Sequence, residues 1–161
     1  MHRSVFMAVS TLIGALAAHA QTPQPALDLH SAAVIRDACL SHAEDNGQTV
    51  AVAVFDQGGN LVTFARLDGT SLAAQDISQW KGRSAAMYRR STLETREWNA
   101  PEAPGIATFQ GGLAIFSQEG APLGGVGVSG APSAFDEACA AVGLEAAGLL
   151  SAPPEAETPD D

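Results

Sequence analysis

Three glycines, Gly125, Gly127 and Gly130, stand in the spacing G-x-G-x-x-G inside the stretch GGVGVSGAPSAFDEACAA. That spacing suits a strand-to-helix turn that cradles a dinucleotide pyrophosphate. Such a site also needs a further parallel strand carrying an acid about twenty residues on. Here the chain after the last helical pattern passes straight into a Pro- and acid-rich end, and Glu145 falls within the helix itself. Val126 and Val128 alternate with Gly125, Gly127 and Ser129, which reads as a strand. Glycine in a strand marks close approach by another backbone or a ligand. Neither NAD nor FAD is expected. Lys81 has the chemistry of a proton-transfer or Schiff-base residue, or it packs its stem on Trp80 with its charge in water. Arg66 can clamp a carboxylate through two parallel hydrogen bonds, or pair with Asp68. Asp136 and Glu137 read as first-turn helix residues rather than catalytic acids. No Ser-His-Asp order, H-E-x-x-H or P-loop occurs.

The elements that must position these residues follow from periodicity. Leu29 to Asn46 reads as a helix with Ile35, Ala38, Cys39, His42 and Ala43 on one stripe and Gly47 as its stop. Thr49–Phe55 and Leu61–Arg66 are strand-like, and the turn at residues 56–60 makes them a hairpin. A second helix runs from about Leu72 to Arg90 with Ala73, Ile77, Trp80, Ser84 and Tyr88 on one face and Met87 beside it. Residues 94–109 hold Pro101, Pro104 and Gly105 and read as a loop long enough to act as a lid. Gly111–Ser117 and Leu123–Ser129 form a second strand pair, and Ser133–Leu150 a last helix, with Ser133 as its N-cap. Hairpin connections imply an antiparallel sheet with helices packed on it, an α+β single domain.

The two ends have their own character. Arg3, the apolar run Val5–Ala18 and the small-residue signal Ala18-His19-Ala20 describe a secretory signal peptide over residues 1–20. Residues 21–26 are a short linker, 27–150 the domain, and 151–161 a disordered acidic tail. A periplasmic or secreted location is therefore expected, with no membrane span after cleavage. The chain has 8 Lys and Arg against 18 Asp and Glu, which disfavours nucleic acid and anionic membranes as partners. Lys81, Arg83, Arg89, Arg90 and Arg96 concentrate the positive charge in one stretch. They make either a solvated helix face paired with Glu94 and Glu97 or an anion-attracting rim. The rim, with the loop over residues 94–109, is expected to border a pocket in which Lys81 and Arg66 meet near Ser129. Cys39 and Cys139 lie on the inner faces of the first and last helices. In a single-sheet fold such helices commonly pack side by side, so a bridge is open to them if their Cα atoms come within about 7 Å. Two separate buried thiols are the alternative.

Four segments in order carry a family resemblance. AVAVFDQGGNLVTFARLDGT, through Asp56, Gly59, Arg66, Asp68 and Gly69, resembles a strand–turn–strand element of the GlcG/HbpS-like haem-binding family. This domain also forms the C-terminus of some corrinoid adenosyltransferases. DISQWKGRSAAMYRRST resembles the family's middle helix through Lys81, Ala85 and Thr92. GGLAIF and LGGVGVSGAPSAFDEACA resemble its last strands and helix, through Gly124, residues 127–130, Asp136 and Glu137. Ala114 stands where the family usually has proline, Gly82 and Ser84 where it has Ala and Thr, and Tyr88 where Phe is common. The resemblance implies a profilin-like fold, assembly into homo-oligomers, and haem or tetrapyrrole binding in some members. It implies ligand contacts from Arg66, Lys81, Tyr88, Thr92 and Ser129. Haem iron takes imidazole, thiolate, thioether or phenolate ligands, which nominates His42 or Tyr88. The other readings are an enzyme or binding protein for a small organic acid, using Arg66, Lys81 and Ser129, and an oligomeric accessory protein without a ligand.

Overall fold

A computed structural model describes residues 23–155. Residues 1–20, expected to be a signal peptide, and the end of the expected acidic tail lie outside the described residues. The elements run α1 (Leu29–Asp45), β1 (Ala51–Asp56), β2 (Leu61–Arg66), α2 (Leu72–Tyr88), α3 (Thr92–Glu97), β3 (Gly112–Phe116), β4 (Pro122–Ser129) and α4 (Ser133–Ala146). The strands form one antiparallel sheet in the order β2-β1-β4-β3. The fold is a single α+β domain with a helical layer on each face of the sheet.

Alternation along the strands divides the two faces. Val52, Val54, Val126, Val128, Leu113 and Ile115 join Ala32, Ile35 and Cys39 of α1 and Cys139, Ala140 and Leu144 of α4 in the main core. The valines and Ile115 of the strands, branched at Cβ, fill a pleated, buried surface well. α1 starts at Asp28, whose carboxylate accepts from the Ser31 N–H at 2.7 Å and so satisfies one of the free donors of the first turn. Cys39 and Cys139 are joined in a disulfide with Cα atoms 4.8 Å apart, tying α1 to α4.

The opposite face is thinner. Ala53, Phe55, Gly125 and Gly127 meet α2, which turns Ala74, Ser78, Lys81, Gly82, Ser84, Ala85 and Ala86 inward. The face read from hydrophobic spacing ran through Ala73, Ile77, Trp80, Ser84 and Tyr88, and of these only Ser84 is buried. The reason is space. A Cβ at Gly82 would lie 2.8 Å from the Gly127 backbone nitrogen and 2.9 Å from the Ala53 carbonyl oxygen. A Cβ at Gly127 would run into the backbone of Ser78. Helix and sheet touch main chain to main chain, so only small side chains fit between them. The G-x-G-x-x-G spacing thus serves helix packing: Gly125 and Gly127 are β4 residues beneath α2.

Two further elements depart from expectation. The stretch read as a loop from residue 94 begins instead inside α3, a short helix over Thr92–Glu97. Its signal is a capping box: Ser91 Oγ accepts from the Glu94 N–H at 3.1 Å while Glu94 accepts from the Ser91 N–H at 3.0 Å. Ser133 does not cap α4; Pro132 holds that position without a side-chain bond.

Candidate functional site

The inward side of α2 places Lys81 beneath the C-terminal end of β4, with 0 % of its side chain exposed. Its ammonium donates to the Val128 carbonyl at 2.8 Å and to Asp136 Oδ2 at 3.0 Å. Asp136 Oδ1 accepts from the Ala131 N–H at 3.1 Å. The Phe109 ring covers the pair, with its centroid 5.3 Å from Lys81 Nζ. Gly111 passes so close that a Cβ there would lie 2.7 Å from that nitrogen. Burial pushes the Lys81 amine below its ordinary value, opposed by the Asp136 carboxylate. The same burial lifts the Asp136 carboxyl above its ordinary value against the pull of Lys81. Beside them Glu137 Oε1 accepts from Gln110 at 3.2 Å, while its other oxygen is buried without a hydrogen-bond partner. Lys81 is therefore neither a solvated lysine on Trp80 nor a pocket residue. Asp136, read from sequence as an ordinary first-turn acid, is its partner from 55 residues away.

The other sequence candidates disperse. Arg66 is exposed at the end of β2, donating weakly to the Leu67 carbonyl at 3.4 Å. It lines a shallow concavity of about 520 Å³ with Glu44, Gln48, Thr49 and Asp68. Ser129 is buried opposite Ala51 in the sheet. Arg66 and Lys81 thus do not meet in one concavity near Ser129, and the small-acid reading loses the shared site it required. Thr92 is fully buried and works as a staple: its hydroxyl donates to the Phe109 carbonyl at 2.8 Å and accepts from the Gly112 N–H at 2.9 Å. His42 stands on α1, across the sheet from α2, stacked on Phe135 at 5.2 Å. Tyr88 Oη donates to the Pro104 carbonyl at 2.6 Å, and Trp98 packs edge-on against its ring at 5.8 Å.

That Tyr88 bond has a consequence for the outer side of α2. It holds the turn at Pro104 and Gly105 over the helix, and between them lies a cleft of about 490 Å³. Phe55, Gln79, Trp80, Arg83, Met87, Pro104 and Gly105 line it. Trp80 is 39 % exposed and Met87 48 %, large apolar surfaces that the close packing beneath forced outward. Arg83 is exposed and, among the described residues, forms no ion pair or side-chain hydrogen bond. Of the other arginines in that stretch, Arg90 pairs with Glu94 at 3.9 Å and Arg96 with Glu97 at 3.0 Å. Sequence reasoning named the basic stretch but not Trp80, Arg83 and Met87 as one row. Their i, i+3, i+7 spacing was visible, but Arg83 was grouped with the basic stretch and Trp80 with the apolar face. The cleft joins the apolar side chains of Phe55, Trp80 and Met87 to the Arg83 cation, which suits an amphiphile with an apolar body and carboxylates. Among the described residues no three His, Cys, Asp or Glu side chains gather into a metal site. No helix there is long and apolar enough to cross a membrane.

A four-stranded antiparallel sheet, with α1 and α4 on one face and α2 with this cleft on the other, defines a class of single-domain layered α+β proteins. Within that class the chain belongs to the HbpS-like family: the family model described as "Haem degrading protein HbpS-like" matches residues 27–145. It is 34 % identical over 109 residues to Protein GlcG of Escherichia coli K12, covering 64 % of this chain and 81 % of GlcG. A crystal structure of HbpS superposes with a TM-score of 0.72 at 31 % identity, covering 78 % of this chain and 92 % of that one. The crystal structure of a PduOC–haem complex has the same fold, with a TM-score of 0.73 at 21 % identity over 80 % of this chain and 99 % of the other.

Proposed function

We propose that this is an exported haem- or tetrapyrrole-binding protein, and that the macrocycle lies on the outer side of α2. The observation that carries this is the cleft itself. Phe55, Trp80 and Met87 offer apolar area for a flat ring, and Arg83 is an unspent cation for a propionate. The group fits these residues, and when bound it would supply an iron centre. The chain's part is to bury the ring face and fix its orientation through Arg83. Membership of the HbpS-like family and the haem in the PduOC complex support the same ligand class. The Cys39–Cys139 bridge supports an oxidising compartment, where such bonds persist.

Titration with haemin, followed at the Soret band, tests the reading. The wild-type chain is expected to bind saturably. Arg83→Glu is expected to weaken binding by about tenfold or more, since an exposed attraction of up to about 1 kcal/mol gives way to a repulsion of similar size. Equal affinity in the two proteins would remove Arg83 from the site.

The same side of the molecule supports self-association. Trp98 is 47 % exposed and Phe109 52 %, more open aromatic surface than a lone domain of this size needs. A second copy of this chain is the occupant we propose for it. Light scattering at micromolar concentration is expected to give a multiple of the monomer mass; a monomer would refute the assembly.

A further inference from the structure

We infer that Met87 supplies the thioether that ligates the haem iron in this cleft, an assignment that rests on the haem reading above. The argument begins with the donors available. Among the described residues the side chains able to bind haem iron are His30, His42, Met87, Tyr88 and the two cysteines. The cysteines are joined to each other and fully buried. His30 and His42 belong to α1, which packs on the other face of the sheet, and the His42 ring is stacked on Phe135. Tyr88 holds the cleft together through its hydroxyl, which is engaged with Pro104. Met87 alone among these donors lines the cleft.

Its surroundings leave the sulfur approachable. Met87 lies one helical turn beyond Arg83 and two beyond Trp80, so the three form a row on one face of α2. Opposite stands Gly105, where a Cβ would lie 3.4 Å from Met87 Cε and 3.8 Å from Sδ. Gly105 has φ +69°, a left-handed conformation that side chains other than glycine rarely adopt. The backbone thus keeps a side chain away from the thioether on that wall. A soft, polarisable sulfur donor favours the softer ferrous iron and raises the reduction potential of a haem it ligates.

Haemin spectra in both oxidation states, with the midpoint potential, decide the assignment. The proteins compared are wild type, Met87→Leu and His42→Ala. Met87 is half exposed, so Leu leaves the fold intact, and unchanged thermal unfolding of the apoprotein checks this. Met87→Leu is expected to keep haemin on the apolar walls, to lose the sulfur-to-iron charge-transfer absorption and the upfield methionine methyl resonance of the ferrous form, and to lower the midpoint potential. His42→Ala is expected to retain all three signatures. Haem-loaded Met87→Leu with the spectrum and potential of wild type overturns the assignment while leaving the haem reading standing. Loss of the signatures in His42→Ala in its place does the same. No haemin binding by the wild-type chain overturns both.

Discussion

Asp136→Asn is expected to destabilise the fold by about 3–5 kcal/mol, because it strands the Lys81 ammonium in a site with no exposure to water. Lys81→Met should lose a similar amount by leaving the Asp136 carboxylate held only by backbone donors. Replacing both, as Lys81→Met with Asp136→Leu, should lose no more than about 1–2 kcal/mol, chiefly from the Ala131 N–H left without its acceptor. The asymmetry follows from the two titration directions. Burial moves the Lys81 amine down and the Asp136 carboxyl up, in each case against the partner's attraction, so desolvation outweighs the pairing. Such a pair adds little net stability, yet either half alone is costly to keep. Urea unfolding of wild type, Lys81→Met, Asp136→Leu and the double variant measures the coupling. Additive losses in the double variant would show that the two groups do not compensate each other.

Loss of the Cys39–Cys139 bridge should have an effect of the same order. The sequence separation is 100 residues. For a loop of that length the chain-entropy model gives roughly 4–5 kcal/mol, within a measured range of about 2–5 kcal/mol for native bridges. A Cys39→Ala/Cys139→Ala variant is expected to unfold at correspondingly lower denaturant, with the main-core packing of α1 on α4 otherwise unchanged. Thiol titration in unfolded, unreduced protein should find no free thiol, and two after reduction. Two thiols without reductant would disprove the bridge in solution.

Much of the layered architecture could be read from local signals, because those signals are strong here. The turn over residues 56–60 sets the first hairpin, and β-branched alternation marks the strands. The α1 stripe through Ile35, Cys39 and Ala43 is buried as its spacing implies, with Ala38 and His42 at its half-buried margin. What escaped was whatever depends on the other side of a contact. The hydrophobic ranking of α2 favours Trp80 and Tyr88 for the core, but the glycines of β4 leave room only for Ala, Ser and Gly. Lys81 is buried because Asp136 comes to it across the fold, which no local window contains. α3 was hidden for a different reason. Pro101 and Pro104 dominate the segment, although Ser91 and Glu94 already spell the start of a helix.

The backbone-to-backbone seat of α2 separates two duties that most helices combine. Apart from Lys81, the residues that hold this helix in place are small and inward; those that meet the outside world, Gln79, Trp80, Arg83 and Met87, take no part in the core. Selection can therefore rewrite the outward row without solving the packing problem again. A lineage built on this seat can exchange one ligand for another by drift at four positions, while the platform that displays them stays the same.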